Sequence, residues 1–566
     1  MTDMRRTLLW VIFTMSLVLL WDAWQKHSGQ PSMFSPAAPK AAAPAPQAPV
    51  GAAPAAVPSA SASGVPTPAL SAGAGPAAAV PGSAPSASAR TFTVTTDLVK
   101  ATFSTRGGEL QKLELLRHRD PEVPDRQVVL FDQSAQRVYL AQTGLITNQA
   151  GVVLPNHLST LLLASQETEL KDGQASLVVR FETPAAASGV KLVKTYTFKR
   201  GDYAIGVKHE VFNGGEAAIE PQLYLQLVRD GNPPPGESAF YFTFTGPALY
   251  TEAKKFQKLD FKDIEKNKAE HEKSAEDGWV AMVQHYFAAA WILAERQTRE
   301  YRTAKVSDNL YSIATVVPLG SVAPGAQAVH EARLFAGPQE EKKLAGLAPG
   351  LELVKDYGWF TVLAKPLFWL LDMLHGVIGN WGWAIVALVF LLKAAFYWLN
   401  ASAYRSMGKM KAINPRIMEM RERLKDKPQQ MQQEMMRIYK EEKVNPLGGC
   451  LPILVQMPFF IALYWVLLSS VEMRNAPWVG WISDLAAKDP YFILPLLMTA
   501  SSLLQTWLNP TPPDPVQAKL MWIMPIAFSF MFFFFPAGLV LYWLTNNILS
   551  IAQQWMINKQ LGVLGK

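Results

Sequence analysis

Few side chains in this 566-residue chain stand where their chemistry could matter, and Lys393 is the foremost of them. It lies near the middle of residues 381–404, WGWAIVALVFLLKAAFYWLNASAY, an otherwise apolar run long enough to cross a bilayer. At helical rise it sits roughly 15 Å from either end. A lysine at that depth costs on the order of 2.5–3.5 kcal/mol, and from the midplane its stem cannot reach either surface. The usual remedy is a buried carboxylate, yet the later apolar stretches, residues 447–471, 491–508 and 520–554, contain no Asp or Glu. Lys393 therefore faces a wet cavity within the membrane or pairs with a group that visits; a water-assisted structural lysine is the plainer alternative. The chemistry it offers is electrostatic, the holding of a negative group, and makes no bond.

Sets that would make bonds are missing. His-Glu pairs begin at His209, His271 and His330, but four residues on, where a zinc protease carries its second imidazole, stand Asn213, Ala275 and Leu334. Cys450 is the only cysteine, which excludes an intramolecular disulfide and a thiolate cluster. The run Leu447-Gly448-Gly449-Cys450 has the look of a lipid-attachment box but lies deep in the chain, and the match reads as chance. No nucleophile elbow and no phosphate loop occur. The expectation is a protein that is not an enzyme and needs no cofactor and no metal.

The elements that must hold Lys393 follow from composition. Arg5 and Arg6 precede an apolar run ending at a bulky flank, Leu20-Trp21-Asp22-Ala23-Trp24, so residues 1–27 read as an uncleaved anchor with its N-terminus inside. Residues 28–90, nearly all Ala, Pro, Ser and Gly, read as a disordered tether. Period-two alternation then runs through residues 91–345, as in Thr195-Tyr196-Thr197-Phe198-Lys199, with Asn213-Gly214 as a hairpin signal. This predicts a large antiparallel β-sandwich outside the cytoplasm. The charged run at residues 252–277 reads as a solvated excursion.

Residues 351–378 suit an amphipathic helix lying on the membrane, with Leu367, Leu370, Leu371, Leu374 and Ile378 on one face and Lys365, Asp372 and His375 opposite. The Lys393 span, residues 379–404, follows. Residues 405–446 read as a helical hairpin broken at Asp426-Lys427-Pro428, with eleven basic against six acidic side chains, which places it in the cytoplasm. Seven methionines, Met418 among them, either pack the hairpin or present a soft surface to varied apolar partners. Its basic face could touch anionic lipid or ribosomal RNA. Residues 447–566 supply four further spans with short loops. The fold class is thus a multi-pass α-helical membrane protein, six spans with both ends inside, carrying a large external β-sandwich. Gln456, and Asn546 or Asn547, join Lys393 at membrane depth.

Residues 442–452, EKVNPLGGCLP, continuing into Gln456-Met457-Pro458, resemble the signature of the YidC/Oxa1/Alb3 family of membrane protein insertases. Residues 535–543, FPAGLVLYW, and Asn475-Ala476-Pro477 do likewise, and the whole layout is similar to the Gram-negative form: an anchor, a periplasmic domain, an interfacial helix and a five-span core. In the periplasmic domain the best local likeness is Gly278-Trp279-Val280-Ala281-Met282. The resemblance implies insertion and folding of nascent membrane proteins in the bacterial inner membrane, alone or with the Sec translocon (SecYEG, SecDF). The ribosome and the signal recognition particle receptor are further candidate partners; DNA is not. It implies a hydrophilic groove open to the cytoplasm and lipid, with Lys393 where the family usually has arginine and Gln456 on a groove-lining glutamine. Phe460, Tyr542 and Trp543 fall at positions that contact the passing helix, with Asn547 beside them. Asp426, flanked by Arg421, Arg423 and Met418, falls on a functional acidic position of the hairpin. The periplasmic domain would resemble a sugar-binding supersandwich without sugar chemistry. A secondary transporter would instead want coupling carboxylates in the spans. A scaffold that moves no substrate is the other rival reading.

Overall fold

The computed structural model describes residues 90–509 and 515–560, apart from 121–122, 124, 135, 185–188, 236–242, 426 and 443–450. The anchor, the tether up to residue 89, most of the signature run before Leu451 and Asp426 of the hairpin lie outside the described residues.

The β domain is two nine-stranded antiparallel sheets packed face to face. One sheet is centred on Val138–Ile146, Gln222–Asp230 and Leu310–Pro318, the other on Phe287–Leu293, Gln327–Pro338 and Ala204–Asn213. Alternation works as expected where one face meets solvent: Ser176–Glu182 buries Leu177, Val179 and Phe181 and exposes the residues between. Phe103 lies between the sheets, with Tyr196 and Phe181 at centroid distances of 4.9 and 5.5 Å. Trp279–Val283 and Phe287–Leu293 depart from alternation and are buried at every position. Their outer face is covered by Leu344, Leu351 and Val354, and the Trp279 indole donates to Pro349 O at 3.0 Å. Gly278 opens this hairpin with φ +91°, and a Cβ there would lie 2.0 Å from Tyr250 O, so only glycine fits.

The hairpin expected at Asn213-Gly214 does not form. Ala204–Asn213 pairs with Val190–Lys199 and Gln327–Pro338, while the next strand, Gln222–Asp230, belongs to the other sheet. The Asn213 amide explains the crossover: it donates to Ala217 O and Val322 O, both at 2.8 Å, and its oxygen accepts from Gly215 N. The side chain turns the main chain locally and sends it across rather than back. The charged excursion contains the strand Lys255–Lys258 and a short helix, Phe261–Glu265.

After the short helix Glu341–Leu347, eight longer helices follow among the described residues: α1 Thr361–Ile378, α2 Trp381–Ala395, α3 Tyr397–Arg423, α4 Pro428–Glu441, α5 Leu451–Ser469, α6 Ile493–Leu508, α7 Pro515–Phe532 and α8 Ala537–Gln560. Gly379, at φ 74°, ends α1 with its N–H on His375 O, and Asn380 caps α2 by accepting from Trp383 N. The buried stripe of α1 is Ala364, Leu367, Phe368 and Leu371; Ile378, expected on that stripe, is exposed. By length and apolar character α1 is itself sufficient to cross a bilayer, as is the bent pair α2–α3, while parts of α5, α6 and α7 are shorter apolar helices. On its polar side α1 is tied to the β domain: Asp372 pairs with Lys342, and Lys365 with Glu352 at 3.4 Å.

The run expected as one straight span is two helices, α2 and α3, inclined at 69° about Phe396. Neither Pro nor Gly stands there; side chains of other helices bond the first turn of α3 instead. Gln553 donates to Tyr397 O at 3.2 Å, and Gln456 to the Asn400 side chain at 3.0 Å. Lys393 consequently lies in the last turn of α2, where the helix macrodipole favours a cation, and not at the middle of a continuous span.

A candidate client-binding cavity around Lys393

Helices α2, α3, α5, α6 and α8 surround a hollow. The half of the bundle nearest the β domain is solid: Ile385, Leu388, Val389, Leu463, Val466 and Leu541 are buried together. Tight contacts set its geometry. A Cβ on Gly382 would lie 2.2 Å from the Trp478 ring, and Gly538 lies against Leu485 O while its N–H bonds that carbonyl at 2.8 Å. Beyond Val389 and Leu463 the packing opens into a cavity of about 540 Å³ lined by Lys393, Asn400, Tyr404, Gln456, Phe460, Trp543, Asn546 and Ser550, with Gln505 and Asn509 at its far end. A small apolar recess, whose lining includes Leu392, Phe459 and Tyr542, adjoins it and shares Lys393, Gln456, Phe460 and Asn546.

The ammonium of Lys393 donates to Ser550 Oγ at 2.7 Å, and the Ser550 hydroxyl donates to Asn546 O at 2.7 Å. Gln456 is held through Asn400. Gln554, at the far end, donates to Asn509 Oδ1 at 2.9 Å. The lining therefore offers one cation, several amides and hydroxyls, and aromatic faces. Phe460 and Tyr542 approach at 6.0 Å, Tyr542 and Trp543 at 5.8 Å. Such a surface can hold an acidic group and, beside it, an apolar chain. Among the described residues no group of three or more His, Cys, Asp and Glu could hold a metal.

Of the residues singled out in the sequence, Lys393, Gln456, Phe460, Tyr542 and Trp543 come together. Asn547 does not join them. It is turned toward α6 and donates to Ser501 Oγ at 3.2 Å and Ser502 Oγ at 2.9 Å, while Asn546 faces the cavity. Ser550 and Asn400 went unnoticed. The signal was periodicity: Asn546 and Ser550 are one turn apart, and Trp543 completes the stripe.

Arg421, Arg423 and Met418 lie about the end of α3, remote from the cavity lining. Arg423 is exposed and Met418 is half exposed. The hairpin of α3 and α4 closes on Ile413, Ile417, Met420 and Ile438, with Met410, Met431 and Met435 against them. Packing thus occupies part of the methionine set, leaving Met418 and Met436 outward, and Met407 lines the cavity.

A two-sheet β domain joined to a helical bundle with a one-sided polar hollow and a single cation defines a class of protein that handles polypeptide or solute at a membrane. Family models narrow it: that of the YidC periplasmic domain matches residues 91–370, and that of the 60Kd inner membrane protein matches residues 373–562. The membrane protein insertase YidC of Cupriavidus necator is 54% identical over 560 residues, covering 99% of this chain and 98% of its own. That of Janthinobacterium sp. is 52% identical over 582 residues, covering 99% and 100%. A solved structure described as an active YidC insertase with its first transmembrane domain resolved is 18% identical, covers 82% of this chain and 91% of its own, and superposes with a TM-score of 0.39. The chain belongs to the YidC family of membrane protein insertases.

Proposed function

We propose that this protein inserts newly made proteins into the bacterial inner membrane and helps them fold, and that the Lys393 cavity receives the client. The observation that carries this reading is a cation, with no carboxylate partner among the described residues, in a hollow that is polar at one end and sealed by apolar packing at the other. Identity of more than half over nearly the full length of proteins named as insertases supports it. A client's external tail is polar and often acidic. Drawn into the cavity it would meet Lys393, amides and water halfway across, and transfer of its apolar helix into lipid would then drive the step without a nucleotide. Six spans with both termini in the cytoplasm, α1 along the outer surface and the α3–α4 hairpin inside fit this reading. On α1, Val362, Trp369 and Val377 are exposed and would face lipid. Phe460, Tyr542 and Trp543 would touch the passing helix. The hairpin, with Arg421, Arg423, Asp426 and Met418, would meet the ribosome, the signal recognition particle receptor or the client, and the Sec translocon would act beside the bundle.

The test is insertion of matched clients with acidic and neutral external tails by proteoliposomes carrying Lys393→Arg, Lys393→Gln or Lys393→Glu. Charge capture predicts that Lys393→Arg retains insertion while Gln and Glu lose the acidic-tailed client most. Equal losses for both tails would count against it.

A further inference from the structure

A second cavity, of about 320 Å³, lies where the β domain meets the helical bundle, and four arginines, Arg119, Arg126, Arg137 and Arg474, are among the residues that line it. Asp120 and Asp484 share the lining, so among the lining residues arginines outnumber acids, and behind the wall Asp230 and Asp132 also act on Arg137. Asp120 stands 3.5 Å from Arg126, and Asp484 Oδ1 accepts from Ala486 N at 2.8 Å. The arginines are positioned by different parts of the fold. Arg474 donates to Arg119 O at 2.7 Å and lies over the rings of Tyr286 and Phe287, at 5.0 and 5.2 Å. Arg137 is held by Val129 O at 2.9 Å and Leu130 O at 3.3 Å. Arg126 remains 60% exposed.

One wall of the cavity is apolar, with Val128, Val129, Pro234 and Pro235, while Gln284, His285, Asn475 and Ser483 add neutral polar groups. The floor of the cavity is at the helix ends. Arg474 comes five residues after α5 stops, and Ala487 accepts the N–H of Ala537, the first residue of α8. A polar, phosphate-sized anion attached to an apolar body matches this combination of level, charge and lining. Guanidinium forks bind phosphate oxygens in pairs, and the adjoining apolar wall suits a glycerol backbone.

We infer that this junction cavity binds the phosphate of an anionic phospholipid from the outer leaflet and so docks the β domain onto the membrane surface. The local field agrees with a cationic site: His118 and His285 are each held down to about 4, first by burial, and Arg474 acts in the same direction. The inference rests on the membrane placement proposed above, but it concerns a site distinct from the Lys393 cavity and is read without insertion.

The experiment is native mass spectrometry of the full chain released from nanodiscs of phosphatidylglycerol or of phosphatidylcholine, with glycerol 3-phosphate as soluble competitor. Wild type is expected to keep one anionic lipid and no zwitterionic one, and Arg119→Glu with Arg126→Glu to lose it. Both positions are exposed, so that variant keeps its fold, checked by circular dichroism. Insertion of a neutral-tailed client by the variant is expected to stay near wild type. If wild type failed to insert any client, the insertase reading would fall while the lipid count stood. Equal retention of both lipids, or retention unchanged in the double variant, would overturn the site. Displacement by glycerol 3-phosphate in the absence of lipid preference would reassign it to a free phosphate ester and overturn the lipid assignment. Loss of binding only when a client's acidic loop is present would assign the arginines to polypeptide instead and overturn it equally.

Discussion

Lys355 and Lys393 are both removed from bulk water, at opposite ends of the helical bundle, and they are treated differently. At the junction with the β domain, Lys355 has a fully buried side chain; both oxygens of Glu472 stand 3.0 Å from its ammonium, and the Phe368 ring lies 3.7 Å away. Its neighbourhood is braced further by Ser469 donating to Asp356 O at 2.7 Å and Tyr357 donating to Glu341 at 2.6 Å. Among the described residues Lys393 donates to a single hydroxyl, that of Ser550, and the cavity beside it is hollow. A charge neutralised on all sides fixes two parts of a molecule together. A charge left with one neutral partner beside open volume can exchange that partner for a carboxylate that enters. The β domain shows a third treatment: the ammonium of Lys194 donates to the neutral carbonyls Gly107 O at 2.7 Å and Thr143 O at 2.8 Å, and burial lowers it to about 7 against the pull of Glu109.

If the dry regions tolerate charge only when it is matched, acid should damage them most. Burial lowers His118, His157, His285 and His330 to about 4 and His209 in the same direction. The unfolded chain takes up these protons near the ordinary imidazole value of about 6.5, while the folded chain refuses them, so stability falls as pH drops from about 6.5 to 4. Each imidazole contributes at most about 3 kcal/mol over that window. Glu109 opposes them: burial raises it to about 7, so its folded form keeps a proton that the unfolded chain releases, and its contribution declines as pH rises toward 7. The sum favours acid unfolding of the β domain before the bundle. Far-ultraviolet circular dichroism of the full chain, which separates sheet from helix, should show strand loss first; simultaneous loss would break the contrast.

The next largest effect concerns the junction. Glu472→Gln leaves Lys355 buried without its counter-ion and should destabilise the junction by about 3–5 kcal/mol, whereas Lys355→Met combined with Glu472→Leu should be nearly neutral. Limited proteolysis of the β domain against the bundle in nanodiscs reads the difference. A mild Glu472→Gln phenotype would mean that the pair is dispensable. Lys393→Met should do the reverse. It removes an insertion cost on the order of 2.5–3.5 kcal/mol, so melting stays level or rises. Insertion of an acidic-tailed client should meanwhile fall about tenfold, the equivalent of about 1.4 kcal/mol. Ser550→Ala is expected to be smallest, about 1 kcal/mol in stability with insertion retained, because water can replace the hydroxyl in a hollow site. A loss of insertion as large as that of Lys393→Met would make Ser550 part of the binding group and not a resting partner.

The gross plan was legible because burial leaves its mark on sequence. Leu177, Val179 and Phe181 alternate with polar residues, and the α3–α4 break coincides with Lys427-Pro428. Trp279–Val283 and Phe287–Leu293 were hidden by their own burial, since a strand covered on both faces shows no alternation. Asn213-Gly214 misled because the same dipeptide that suits a hairpin can turn the chain through its side chain. In the cavity, Lys393 is visible as a misplaced charge, but charge alone points to a carboxylate partner, and a serine in an apolar helix carries no such signal. Asn547 and Asn546 differ by one step, about 100° around the helix, which decides between α6 and the cavity. The bend at Phe396 is accompanied by a bond from Gln553, distant in sequence, to Tyr397 O, and no local Pro or Gly announces it.

The most direct measurement is photo-crosslinking from a probe at Gln456, with Leu497 on the exposed face of α6 as control, to a ribosome-stalled client of increasing length. Crosslinks from Gln456 are expected to appear over a window of nascent-chain lengths and to be absent from Leu497. Equal crosslinking from both positions, or none from Gln456 in a correctly folded protein, would contradict a client path through the Lys393 cavity.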